Sequence, residues 1–229
     1  MRSGIYGVIK GECHNFGYSQ INKCTQKVIQ TNNSILHGTW LEKLNYPVDE
    51  LLSNPEKFNT IEGPVQGCYF DQKSSTLTIH VDFARQHPVF YYSSDGVFAF
   101  AHSLEKLISL MKENDVVIRA DETGAALLLS YASILGDKTI VQGVRKLMPG
   151  HSLVYTKGEF KLINRDNLQN LERSITDESK AIDMLDDAFS TATDAMVRAN
   201  SELNADQINL LSGGIDSRMV FMQTIKSSE

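Results

Sequence analysis

The sequence predicts an α+β fold up to about Arg173, followed by the opening of an α/β domain. Three observations carry that prediction. Up to Arg173, short β-rich runs alternate with turn residues, and two helical runs interrupt them. Beyond Arg173 the pattern changes to one long amphipathic helix. A short apolar run then leads into a glycine-bearing loop and a further helix.

The strands are expected at Gly4 to Lys10, Pro64 to Phe70, Leu77 to Asp82, Pro88 to Tyr92 and Val97 to Ala101. Two more, Ser152 to Tyr155 and Phe160 to Ile163, flank Thr156-Lys157-Gly158-Glu159, which has the composition of a hairpin turn. Leu104, Leu107, Ile108 and Met111 recur at helical spacing behind Ser103 as cap, and Asp121 opens an apolar helical run to Leu129. In the second part, Asp177 to Asn200 places Ile182, Leu185, Phe189, Ala192 and Met196 on one helical face. Asp183, Asp186, Asp187 and Asp194 lie off that face and read as solvated. A strand over Ile208 to Leu211 and a helix from Arg218 to about Lys226 complete the expected elements.

Composition narrows the function. With 229 residues, 41% of them hydrophobic, the chain can bury a core without disulfides. Its net charge of −6 and lack of any basic stretch argue against a grip on nucleic acid, so a small molecule or another protein is the expected partner. No apolar run reaches the roughly 18 residues needed to span a bilayer, and the polar start has no secretory core. Cys13, Cys24 and Cys68 form no CxxC pair, which points to a reducing cytoplasm. Cys13, His14 and Cys24 lack a fourth ligand for zinc at sensible spacing.

Chemistry is concentrated in Leu211-Ser212-Gly213-Gly214-Ile215-Asp216-Ser217. Glycines let a backbone approach a ligand closely, and a helix N-terminus favours anions. Ser212 and Ser217 add hydroxyl donors, and Asp216 can accept loop amides or help hold Mg²⁺ against phosphates. The string is neither a Walker A loop nor a GxGxxG fingerprint.

The loop Ser-Gly-Gly-Ile-Asp-Ser resembles the pyrophosphate-binding loop of ATP-pyrophosphatase ligases. Four preceding strings narrow the resemblance to the asparagine synthetase family. They are Ile61 to Asp71, Asp82 to Tyr92, Phe98 to Leu107, and Gly143-Val144-Arg145-Lys146-Leu147-Met148-Pro149-Gly150-His151, close to the family's "G-V-R-K-L-P-P-G-H". The resemblance covers about Ile61 to Glu229. It implies a glutamine amidotransferase-like domain over residues 1–173 and the start of a doubly wound ATP-pyrophosphatase domain over 174–229. The implied activity is adenylation of a carboxylate by ATP with Mg²⁺, followed by attack of an amine to give an amide, AMP and pyrophosphate. Leu211, Ser212, Gly213, Gly214, Asp216 and Ser217 would hold ATP.

Two departures shape the expectation. Where the family begins "C-G-I", this chain has Ser3-Gly4-Ile5 behind Met1 and Arg2. Ser3 thus stands at the position of the catalytic cysteine, but a hydroxyl yields far less nucleophile than a thiol, and Ser3 has no free α-amine unless Met1 and Arg2 are removed. The family's glutamine-binding strings are not legible, and Trp40 of His37-Gly38-Thr39-Trp40 stands where an aspartate is expected. A glutaminase-dead domain follows, as in β-lactam synthetase-like enzymes and lasso-peptide cyclases. The resemblance also places the remainder of the nucleotide domain beyond Glu229, in a C-terminal domain or a separate synthetase subunit. A non-catalytic module docking on such a subunit is the alternative, and an N-terminal-serine amidohydrolase built on Ser3 is a third. His87 and His151 are expected in structural hydrogen bonds, and Asp82 and Arg85 as an ion pair.

Overall fold

The structure, a computed structural model, describes residues 3–19, 26–94, 96–165 and 174–228. Two compact units divide it, Met1–Asp166 and Asn167–Glu229. The expected boundary at Arg173 lies outside the described residues.

Among the described residues of the first unit, eleven strands form two antiparallel sheets. The five-stranded sheet contains β1 (Gly4–Lys10), β2 (Cys13–Ser19), β7 (Phe90–Ser94), β8 (Val97–Ala101) and β9 (Val144–Lys146), in the order β2-β1-β8-β7-β9. The six-stranded sheet runs β11-β10-β6-β5-β4-β3, with β3 (Lys27–Gln30), β4 (Ser34–Gly38), β5 (Val65–Asp71), β6 (Thr76–Val81), β10 (His151–Thr156) and β11 (Glu159–Asn164).

Alternation decides which side chains meet. Ile5 and Ile9 of β1, Phe98 and Phe100 of β8, Cys68 and Phe70 of β5, and Leu77, Ile79 and Val81 of β6 point between the sheets and form one core. The opposite faces of the same strands carry helices. Ala99 and Ala101 are small, so α3 (Leu104–Glu113) settles close enough for Leu107, Leu110 and Met111 to bury. On the other sheet, α1 (Val48–Ser53) and α2 (Pro55–Phe58) place Val48, Leu52 and Phe58 against Leu36 and Val65. The layers are therefore helix, sheet, sheet, helix, and the α+β reading holds for this unit.

Local signals explain the element ends. Ser103 Oγ accepts the Lys106 amide at 3.2 Å, and Asp121 Oδ1 accepts that of Gly124 at 2.7 Å at the start of α4 (Glu122–Tyr131). Lys157 and Gly158 take φ of 50° and 93°, the positive pair of a two-residue turn between β10 and β11.

The second unit contains α5 (Glu178–Glu202) and α6 (Ile215–Ser228), which contact each other. Asp177 caps α5 through the Lys180 amide. One expectation is corrected here. No strand forms over Ile208 to Leu211; a strand needs a paired neighbour, and among the described residues of this unit there is none. Ile208, Leu210 and Leu211 consequently stay exposed. Along α5, Ile182, Leu185 and Met196 are likewise exposed, and the buried residues are Thr193, Ala195 and Ala199. Helix α6 begins three residues earlier than expected, inside the glycine loop. No described helix is long and apolar enough to cross a membrane.

Candidate functional site

Strand β1 begins at the end of the sandwich where β4, β6 and β8 finish. Gly4 fits there because it lacks a side chain: a Cβ would lie 2.4 Å from both Gln66 Nε2 and His102 Cβ. Ser3, just before it, is buried, so the structure places the expected nucleophile position beside a cluster of buried polar side chains at the edge of the apolar core.

Residues distant in sequence build that cluster. His37 and Gln66 are inward-facing members of adjacent strands, paired in register and completely buried. The Gln66 side-chain nitrogen lies 2.9 Å from His37 Nδ1. Tyr18 and His87 place their rings 5.1 Å and 4.9 Å from that of His37. On the other sheet, the His102 amide donates to Ile5 O at 2.9 Å, and Ser19 Oγ lies 3.3 Å from His102 Nε2. Gln26 Nε2 lies 3.4 Å from His87 Nε2.

Burial, with the nearby His87 and His102, pushes the His37 imidazole down to about 4, so it is neutral at pH 7. An amide nitrogen is a donor, so Nδ1 accepts from Gln66 and the proton sits on Nε2. His37 Nε2 and Gln66 Oε1 have no hydrogen-bond partner among the described residues. Sequence reasoning missed this cluster, apart from noting the string at His37. Trp40 is buried on the outer face of its sheet among Val48, Leu52 and Phe58.

Three other expectations resolve around the same end. His151 is in a local hydrogen-bonding contact, its Nδ1 2.8 Å from Pro149 O. Asp82 does not pair with Arg85: Oδ1 accepts the amides of Ala84 and Gln86, while Oδ2 and Arg85 Nη1 have no hydrogen-bond partner among the described residues. Arg165 is the cation whose charge acts on Asp82; it stacks on Phe58 and Phe83 and donates to Asn59 Oδ1 and Val81 O. Cys68 is buried under the core and its thiol is pushed up to about 12, which makes it a packing group. No metal-binding group of His, Cys, Asp or Glu forms among the described residues, and Cys24 lies outside them.

In the second unit, Ser212 to Ser217 form a turn at the N-terminus of α6. Ser212 Oγ and Ser217 Oγ lie 3.0 Å apart; the Ser212 amide donates to Ser217 Oγ at 3.1 Å and the Gly214 amide to Ser212 Oγ at 3.2 Å. These bonds fix the loop from within. Arg218 Nη2 donates to Gly213 O at 3.3 Å and brings a cation to the turn. Space around Gly213 is open, and Asp216 is exposed on the first turn of α6. A positive helix end with hydroxyls, a guanidinium and open backbone fits a phosphate chain, and Asp216 fits a divalent cation screening it.

No curated protein matches the chain. Residues 56–165 match the glutamine amidotransferase domain family. That span runs from α2 through β11 and omits β1 to β4, which carry the strand after Ser3 and the His37 position. The first unit therefore contains a glutamine amidotransferase-type domain.

Proposed function

We propose that the chain is part of an asparagine synthetase-like, ATP-dependent ligase. It would adenylate a carboxylate, aspartate or a related acid, and join it to an amine, releasing AMP and pyrophosphate. The observation that carries this reading is the internally bonded loop Ser212 to Ser217 at the head of α6. A free carboxylate is a poor electrophile, and ATP supplies a leaving group. Leu211, Ser212, Gly213, Gly214, Asp216 and Ser217 would hold the nucleotide, with Asp216 toward Mg²⁺; donors at a helix N-terminus stabilise charge developing on departing pyrophosphate.

The amidotransferase-type domain would serve as a scaffold without glutaminase activity. Supporting this, Ser3 is a hydroxyl residue and the imidazoles beside it are buried, with His37 lacking a carboxylate among the charges that act on it. Carboxylate-dependent exchange of labelled pyrophosphate into ATP tests the ligase reading, with exchange lost in Asp216→Ala. Exchange with aspartate fits asparagine synthesis from ammonia; exchange with another acid alone fits tailoring chemistry such as β-lactam formation. Release of ammonia from glutamine that disappears in Ser3→Ala would overturn the scaffold reading.

A second reading is favoured by the exposed Ile208, Leu210 and Leu211: a non-catalytic module that docks on a separate synthetase subunit. It predicts a stable complex with that subunit and no exchange by the chain alone.

A further inference from the structure

At the end of the first unit opposite Ser3, where β1 turns into β2, a cavity of about 210 Å³ opens between the two sheets. Its walls come from β2 on one sheet and from β3, β4 and the turn after β5 on the other, and no aspartate, glutamate, lysine or arginine lines it. Alternation decides which side chains face it. Ile35 and Phe70 point into the core; Gln30 pairs with Ile35, and Asn33 O accepts the Phe70 amide at 2.8 Å, so Gln30 and Asn33 share that inward face, with Gln72 two residues beyond Phe70. The side-chain amides of Gln30, Asn33 and Gln72 make no hydrogen bond among the described residues. His14, Phe16 and Phe70 form a platform of rings beside them, His14 lying 4.5 Å from Phe70 and 5.6 Å from Phe16. The turn that carries Asn33 is already set: Thr31 Oγ1 accepts the amides of Asn33 and Ser34 and donates to Asp49 Oδ1 at 2.6 Å. A second cavity of about 570 Å³ adjoins the first, sharing His14, Phe70 and Gln72 with it, and opens along glycine turns that have free space beside them.

We propose that the smaller cavity binds a neutral, planar heterocycle with an N–H beside a carbonyl, the edge of a uracil-type base, and that the larger one takes the substituent on that ring. A charged ligand would enter without a countercharge. A carboxamide, by contrast, carries a donor next to an acceptor and pairs with such an edge through two hydrogen bonds. Flatness follows from the platform: a base has a π-face to lay on His14 and Phe70, and a sugar has none. Size agrees, because about 210 Å³ falls below the roughly 300 Å³ at which pockets for drug-sized ligands begin and suits one small ring system. Turn chemistry accounts for an asparagine at Asn33, but Gln30 is a strand residue on the inward face, where a core pattern calls for an apolar side chain. The site lies in the first unit and does not rest on the ligase reading.

Uridine is the probe, titrated calorimetrically into the full chain, and the expected result is saturable binding. 3-Methyluridine lacks the N–H, and dihydrouridine keeps the edge but loses the flat ring; each should bind at least about fivefold more weakly than uridine. Ribose alone should not bind. Changing Gln30→Leu and Gln72→Leu together should weaken uridine at least about tenfold, and His14→Ala at least about fivefold. Absence of saturable uridine binding, equal binding of either analogue, or ribose binding as tightly as uridine overturns the proposal. Those comparisons use the unaltered protein, so they decide it even if a variant fails to fold. Gly213→Glu, in the second unit, should leave uridine binding unchanged, and loss of binding there would also overturn the proposal. Uridine binding and pyrophosphate exchange therefore succeed or fail separately.

Discussion

A buried imidazole held neutral makes stability depend on pH with a definite sign. His37 is pushed from its ordinary 6.5 down to about 4, and His80, enclosed between Ser152 Oγ and Leu52 O, down to about 3, both chiefly by burial. Above pH 6.5 neither state of the protein binds a proton at these rings. Below it the unfolded chain does and the folded chain does not, so stability is lost as pH falls from 6.5 toward 4. For His37 alone the loss amounts to about 3 kcal/mol. Urea denaturation at pH 7.5 and 4.5 should show a marked fall in midpoint that His37→Gln makes shallower; an unchanged pH slope in that variant would contradict the burial argument. None of this was legible in the sequence. His37, Gln66, His87 and His102 are scattered, and only the register of β4 on β5 and the return of β8 beside β1 bring them together.

At the scale of elements, the sequence was informative wherever alternation and capping are local. Strands β1 and β8 match expectation residue for residue, as does the turn at Lys157-Gly158. What it hid were β2, β3, β4 and β9 and the short helices α1 and α2: β2, Cys-His-Asn-Phe-Gly-Tyr-Ser, does alternate, with His14, Phe16 and Tyr18 facing inward, but it contains too few apolar residues to read as a strand. The opposite error came at Ile208 to Leu211, where an apolar run has strand composition but no described neighbour to pair with. Helix α4 gives a test at this scale. Alanine is a better helix former than glycine by about 1 kcal/mol, yet a Cβ at Gly124 would sit 2.0 Å from Thr139 O, a backbone atom. Gly124→Ala should therefore destabilise by about 1 to 3 kcal/mol in chemical denaturation. A stabilised variant would show that α4 does not rest on that carbonyl.

Across the first unit, one core joins the two sheets, and the cluster of His37 and Gln66 lies at one end of it. Phe98 and Phe100 are completely buried in that core, with Phe98 stacked 4.2 Å from Tyr155 of the opposite sheet. Phe98→Ala should cost about 3 to 5 kcal/mol and lower the denaturant midpoint without altering its slope. A loss below 1 kcal/mol would mean the sheets do not pack through this ring. The second unit is different in kind: its described residues place α6 behind an internally bonded glycine loop and leave Ile208, Leu210 and Leu211 exposed. The phosphate-binding role given to that loop is the central claim, and direct titration with pyrophosphate tests it best. Followed by phosphorus NMR in the presence of Mg²⁺, pyrophosphate should bind saturably to the chain. Binding should be lost in Gly213→Glu, which puts a carboxylate into open space at the loop. Pyrophosphate that fails to bind, or binds equally to that variant, would contradict the claim.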